Sequence, residues 1–102
     1  MANDKPGVTI SLTKPIHAYG EDLSELTFRE PSGGDIAAAG MPVRFDLSKA
    51  EPDIEFNATE MTAMLSRLAS VPPSSIALLT AGDWISAAYA VAPFFVPGAA
   101  TR

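Results

Sequence analysis

Four places in this 102-residue chain offer groups suited to catalysis or ligand binding: His17, Glu30, Asp35 and the Gly33-Gly34 pair. An imidazole serves as a general base or as a metal ligand. A metal site draws three or four ligands, and there is no second histidine and no cysteine to complete one. No G-x-S-x-G elbow sets a serine against His17, so His17 reads as a surface or edge histidine. Glu30 and Asp35 could pair as acid and base. Such pairs need one carboxyl pushed up by burial, and the polar stretch around them reads as exposed. Gly33-Gly34 lacks the G-x-x-x-x-G-K-[ST] context of a phosphate loop and the spacing of a dinucleotide fingerprint. A helix N-terminus there could hold an anion, but Asp35 would repel it. The reading is turn chemistry, with no catalytic residue, no cofactor and no metal site.

Composition narrows the partners. The formal net charge is −5, which disfavours nucleic acid and anionic membrane surfaces. An apolar fraction of 47% against 19% charged residues argues for one folded domain rather than a disordered chain. The absence of cysteine excludes disulfide and thiolate chemistry. The first seven residues lack the apolar core of a signal peptide. The apolar stretch 84–97 is broken by proline and falls short of the roughly 20 residues a membrane span needs. A soluble cytoplasmic protein is expected.

The elements follow from periodicity. Residues 1–7 read as a flexible arm, 8–96 as a single small domain and 97–102 as a flexible tail. Val8, Ile10 and Leu12 alternate with Thr9, Ser11 and Thr13, the period of a half-buried strand. Pro15 places that strand at an edge or bends it. A turn at Gly20-Glu21-Asp22 leads to a second strand through Leu26 and Phe28, giving a β-hairpin. Pro31 stops it. Three caps then start helices: Ser32 with Asp35, Asn57 with Glu60, and Thr80 with Asp83, each a hydroxyl or amide three residues ahead of an acid. The expected helices are Asp35 to Ala39, Ala58 to Ser70, a short turn from Pro73 through Leu79, and a last helix from Ala81 that Pro93 ends or kinks. Residues 40–56 read as irregular. There is no internal repeat. The fold class is α+β: an N-terminal antiparallel hairpin followed by three or four short helices packed on it.

Met61, Met64, Leu65 and Leu68 recur at i, i+3, i+4 and i+7, one apolar helix face. Trp84, Tyr89, Phe94 and Phe95 form a second apolar group. Core packing accounts for most of these residues. The alternative for part of them is an adaptable groove, because methionine and aromatic side chains suit varied apolar partners. The candidate partner-binding residues are Met61, Met64, Leu68, Trp84, Tyr89, Phe94 and Phe95.

The succession of pieces has a family likeness. Leu26-Thr27-Phe28-Arg29-Glu30-Pro31-Ser32-Gly33-Gly34-Asp35-Ile36 is followed by Val71-Pro72-Pro73-Ser74-Ser75-Ile76 and then by Leu79-Thr80-Ala81-Gly82-Asp83. In this order they resemble the small tail assembly chaperones of long-tailed, Mu-like phages, the group labelled E, or 41, or 14, over residues 8 to 96. The resemblance implies a non-enzymatic protein of the bacterial host cytoplasm. It would bind the tape measure protein, keep it soluble and help recruit the tail tube protein, and self-association is compatible with that role. The competing readings are a structural tail or head-completion subunit retained in the virion, and a small enzyme relying on His17.

Overall fold

A computed structural model describes residues 7–46, 48 and 53–95. Strands β1 (Gly7–Ala18) and β2 (Glu21–Arg29) form an antiparallel hairpin. Its turn is Tyr19-Gly20, with φ of 54° and 80°, so it falls one residue earlier than expected and leaves Glu21 and Asp22 in β2. Two successive positive φ angles give the turn a twist that matches the flanking strands.

The register breaks once. Ser11 faces Glu25 and Ile16 faces Leu23, so Leu12 to Pro15 lie opposite Ser24 alone. This bulge absorbs Pro15, which has no N–H for the ladder. One face of the hairpin carries Ile16, Ala18, Leu26 and Phe28 into the core.

Helices α1 (Gly33–Ala39), α2 (Ala58–Ala69), α3 (Pro73–Ile76) and α4 (Ala81–Val91) follow. Helix α2 lies against β2, and α3 and α4 lie against β1. The core joins the hairpin face to Met61, Met64, Leu65 and Leu68 of α2, Ile76 of α3, and Ala87, Ala88 and Val91 of α4. Each large side chain so buried contributes about 1.5–3 kcal/mol. After Val91 the backbone tightens into a 3-10 turn, Ala92–Phe95, at the position of Pro93. The α+β architecture is the one the periodicity indicates.

Two expectations are corrected. Residues 40–56 are not wholly irregular: β3 (Val43–Asp46) and β4 (Asp53–Phe56) form a second hairpin, with Val43 opposite Phe56 and Arg44 opposite Glu55. Each strand has four residues, too short for a periodic window to separate from the prolines and charges around it. Helix α1 begins at Gly33 rather than Asp35, so both glycines lie inside its first turn. Residues 1–6 of the expected arm and the whole expected tail, 97–102, lie outside the described residues, whereas Gly7 pairs with Arg29. Among the described residues no helix is long and apolar enough to cross a membrane.

Candidate functional site

Two helices begin with nearly the same four residues: Ser32-Gly33-Gly34-Asp35 at α1 and Thr80-Ala81-Gly82-Asp83 at α4. In both, the hydroxyl accepts from the backbone N–H of the aspartate. Both aspartates are buried, Asp35 at 2% exposure and Asp83 at 3%. Only at α1 does the acid return to its own cap, the Ser32 N–H donating to Asp35 Oδ2 at 2.9 Å. At α2, Asn57 Oδ1 accepts from the Glu60 N–H at 2.9 Å, while the Asn57 N–H donates to the Pro42 carbonyl instead.

Asp35 gathers two arginines. Arg29 of β2 donates through Nη1 at 2.7 Å and Nη2 at 2.9 Å, a bidentate pair, and Arg67 of α2 donates through Nε at 3.0 Å. The Ser32 hydroxyl completes the set at 3.2 Å. One carboxylate thus ties strand, short helix and long helix together. The Arg29 hydrogen bonds and the Ser32 N–H hold its pKa well below the usual carboxylate range, with Arg67 adding to them and burial opposing. The same contact raises the pKa of Arg29.

This corrects the expectation that the segment is exposed, and for a different reason it still removes Asp35 as a proton donor: burial alone would raise a carboxyl, but this one is ionised and saturated. Glu30 is exposed and does not join it. The glycines are not needed for the turn either. Neither Gly33 nor Gly34 has a positive φ, and a Cβ would meet nothing at Gly33 and only Ser32 Oγ, at 3.6 Å, at Gly34.

Asp83 reaches the other strand. Its Oδ2 accepts the backbone N–H of Thr13 at 2.9 Å and the Thr13 hydroxyl at 3.1 Å. Thr13 sits in the β1 bulge, where a backbone N–H loses its ladder partner. His17 is exposed at the hairpin surface, its Nδ1 lying 3.1 Å from Asp22 Oδ1. Among the described residues no group of three or more His, Cys, Asp or Glu could hold a metal ion.

The apolar candidates divide. Met61, Met64, Leu68 and Phe95 lie in the core, none more than 5% exposed. Trp84 and Phe94 are half-buried, and Tyr89 is 57% exposed. Trp84 is fixed by donating from Nε1 to Thr62 Oγ1 at 3.0 Å. Beside it, Ile76, Ala77, Leu79, Ala81, Trp84 and Ile85 line a shallow hollow of about 450 Å³. Ile85 is 49% exposed there, and Leu78, between Ala77 and Leu79 in the chain, is 55% exposed. Residues 68–95 contain one charged side chain, Asp83, and it is buried, so α3, α4 and the segment between them expose no charged side chain of their own.

Sequence reasoning overlooked Leu78 and Ile85 on this face, Phe56 of β4, whose ring lies edge-on to Trp84 at 6.5 Å, and Thr13 and Arg67 at the anchors. Ile85 and Tyr89, spaced i, i+4 on one helix, were the readable signal.

The comparisons with known proteins bear on the whole of this arrangement. No curated protein and no solved structure matches the chain significantly. A family model described as phage tail assembly chaperone proteins, E, or 41 or 14, matches residues 9–96, which takes in the hairpin, both aspartate anchors and the uncharged face. The chain belongs to the phage tail assembly chaperone family.

Proposed function

We propose that this chain binds the tape measure protein in the bacterial host cytoplasm, keeps it soluble before tube assembly and helps recruit tail tube subunits to it. The observation that carries this reading is the uncharged face of α3 and α4. Interface cores are depleted in charge and enriched in aromatic residues, and an exposed apolar patch on a small protein marks an interaction site. Leu78, Trp84, Ile85 and Tyr89 supply such a surface. The acidic remainder of the molecule keeps the complex in solution. Several weakly held copies along one long partner would give avidity and still allow the assembling tube to displace them. No catalytic step is assigned to any residue.

Co-expression with the tape measure protein tests the reading. The chain should raise that protein's soluble fraction and co-purify with it, and Ile85→Asp with Tyr89→Asp should abolish both effects while leaving the fold intact. Wild-type chain that neither solubilises nor co-purifies the tape measure protein sinks the proposal. Abundant chain in purified mature particles would instead support a permanent tail or head-completion subunit.

A further inference from the structure

A two-stranded ladder satisfies only half of the backbone groups of each strand, and the other half point away from the hairpin. In β1 the helices take two of these outward groups. The Thr13 N–H donates to Asp83 Oδ2 at 2.9 Å, and the His17 carbonyl accepts from the Ser75 hydroxyl at 2.8 Å. From Gly7, where β1 begins, to Leu12, no outward backbone group meets a partner among the described residues. Backbone groups without a protein partner are rarely buried. This half of β1 is therefore an open sheet edge, sealed at one end by Asp83.

The residues along it do nothing to protect it. Natural edges are blunted by lysine, proline or a bulge. Here Lys14 and Pro15 come only beyond the point that Asp83 seals. Val8-Thr9-Ile10-Ser11-Leu12 carries no charge. Strand β2 differs: it carries Glu21, Asp22 and Glu25, and its one cation, Arg29, is held by Asp35. In a chain of net charge −5, a second copy laid along β2 would meet acid with acid, whereas along β1 it meets none.

The open stretch is also self-complementary. Val8, Ile10 and Leu12 are half-buried against the core, and Thr9 and Ser11 are exposed on the opposite face. The alternation reads the same in both directions about Ile10, the midpoint between Gly7 and Thr13. An antiparallel copy centred there sets Val8 opposite Leu12 and Thr9 opposite Ser11 of the second chain. Apolar meets apolar and hydroxyl meets hydroxyl, as an isologous contact requires. A two-fold axis normal to the sheet keeps the helices of both copies on one side. The pairing covers the apolar surface that Val8, Ile10 and Leu12 still show at the edge.

We propose that the open half of β1 is a self-association site, at which two copies of this chain pair β1 to β1, antiparallel about Ile10, into one four-stranded sheet. The contact is smaller than the roughly 1,200–2,000 Å² of a stable interface, so the dimer is reversible and depends on concentration. It leaves the α3–α4 face of each copy available, so a dimer can offer two such faces to one partner. The pairing itself does not rest on the tape-measure reading.

Sedimentation equilibrium of the full wild-type chain, from micromolar to millimolar concentration, should show a monomer–dimer equilibrium. A monomer throughout overturns the proposal. Thr9→Lys with Ser11→Lys sets lysine opposite lysine twice across the contact and should weaken the dimer by about tenfold or more. Circular dichroism checks that the variant is folded. A dimer unaffected by these lysines but lost in Ile85→Asp with Tyr89→Asp lies on the α3–α4 face instead, and overturns the proposal. Cross-linking tests the register without disturbing the fold, since the wild-type chain has no cysteine. Opposed Cβ atoms stand about 4.5–5.5 Å apart and diagonal ones about 7–8 Å. A mixture of Thr9→Cys and Ser11→Cys chains should therefore form the mixed disulfide dimer several-fold faster under mild oxidation than either variant links to itself. Equal rates in all three cases overturn the register and with it the proposal, and this readout decides the matter should the lysine variant fail to fold. A wild-type monomer that still solubilises the tape measure protein removes the pairing alone, and a dimer that does not solubilise it removes the proposed function alone.

Discussion

Helices α1 and α4 start from one local design, [ST]-x-G-D, and use it against opposite strands of the same hairpin. Asp35 meets β2 at Arg29 and draws in Arg67 from α2. Asp83 meets β1 at the Thr13 amide and hydroxyl. In both caps the hydroxyl accepts from the aspartate N–H and the acid is buried, and the strand each acid meets decides what kind of anchor results. A regular strand end offers a long cationic side chain, and the result is a charged node joining three elements. A bulge offers a stranded N–H, and the result is a pair of hydrogen bonds from one residue. Beside the first anchor lie the family-like Arg-Glu-Pro and Gly-Asp residues; beside the second lies the uncharged face.

The comparison is broken most directly at Asp35. Removing one member of a buried ion pair leaves the others uncompensated and costs about 3–5 kcal/mol. Arg29 and Arg67 are nearly half exposed here and can rehydrate, so Asp35→Ala is expected to lose about 3 kcal/mol, the low end of that range. Urea unfolding measures it; a loss below about 1 kcal/mol would show that the arginines carry no structural weight. The same anchor predicts a pH dependence. The folded-state pKa of Asp35 lies below its unfolded value, so its contribution is complete above about pH 4 and is lost as pH falls from there toward the folded-state pKa. Stability measured from pH 6 to pH 2 should fall less steeply in Asp35→Asn than in wild type. Equal slopes would assign acid sensitivity to other carboxylates.

Asp83 should be the smaller loss. Asp83→Ala removes the acceptor of both the Thr13 N–H and the Thr13 hydroxyl, two hydrogen bonds of about 1 kcal/mol each, and costs about 2 kcal/mol. Thr13→Val removes the hydroxyl and keeps the amide, for about 1 kcal/mol. A double-mutant cycle between the two positions sharpens the contrast. Coupling near zero would mean that the bulge is held by packing alone and that Asp83 does not anchor β1.

How much of this was readable beforehand follows from distance along the chain. The caps, the hairpin and the α2 face depend on residues within a few positions of one another, and spacing alone recovers them. The partners of the two acids do not. Arg67 is 32 residues from Asp35 and Thr13 is 70 from Asp83, and nothing local distinguishes them from other surface arginines and threonines. That is why Asp35 reads as exposed when it is buried and accepts from Arg29, Arg67 and both the N–H and the hydroxyl of Ser32. The second hairpin was hidden for another reason: Val43-Arg44-Phe45-Asp46 alternates, but over one period too few to stand out from a proline-rich stretch. Met61, Met64 and Leu68 show the converse limit, since periodicity finds the apolar face of a helix without saying whether protein or solvent lies against it.

The smallest effect tests whether the two helix starts are interchangeable. Position by position, Gly33 of α1 corresponds to Ala81 of α4, and α4 forms its cap with the alanine in place. A Cβ on Gly33 meets open space and its φ is not positive, so only the entropy of the unfolded chain changes. Gly33→Ala should stabilise the protein by about 0.5 kcal/mol. Gly34→Ala, with Ser32 Oγ 3.6 Å from the new Cβ, should gain a similar amount or slightly less. Thermal unfolding resolves such shifts when the two variants are combined. If the pair is stabilised and still co-purifies with the tape measure protein, the glycines serve neither the turn nor the partner. If stability rises and co-purification is lost, the first turn of α1 lies against the partner's backbone, and the charged anchor beneath it positions a second contact surface remote in sequence from the uncharged face.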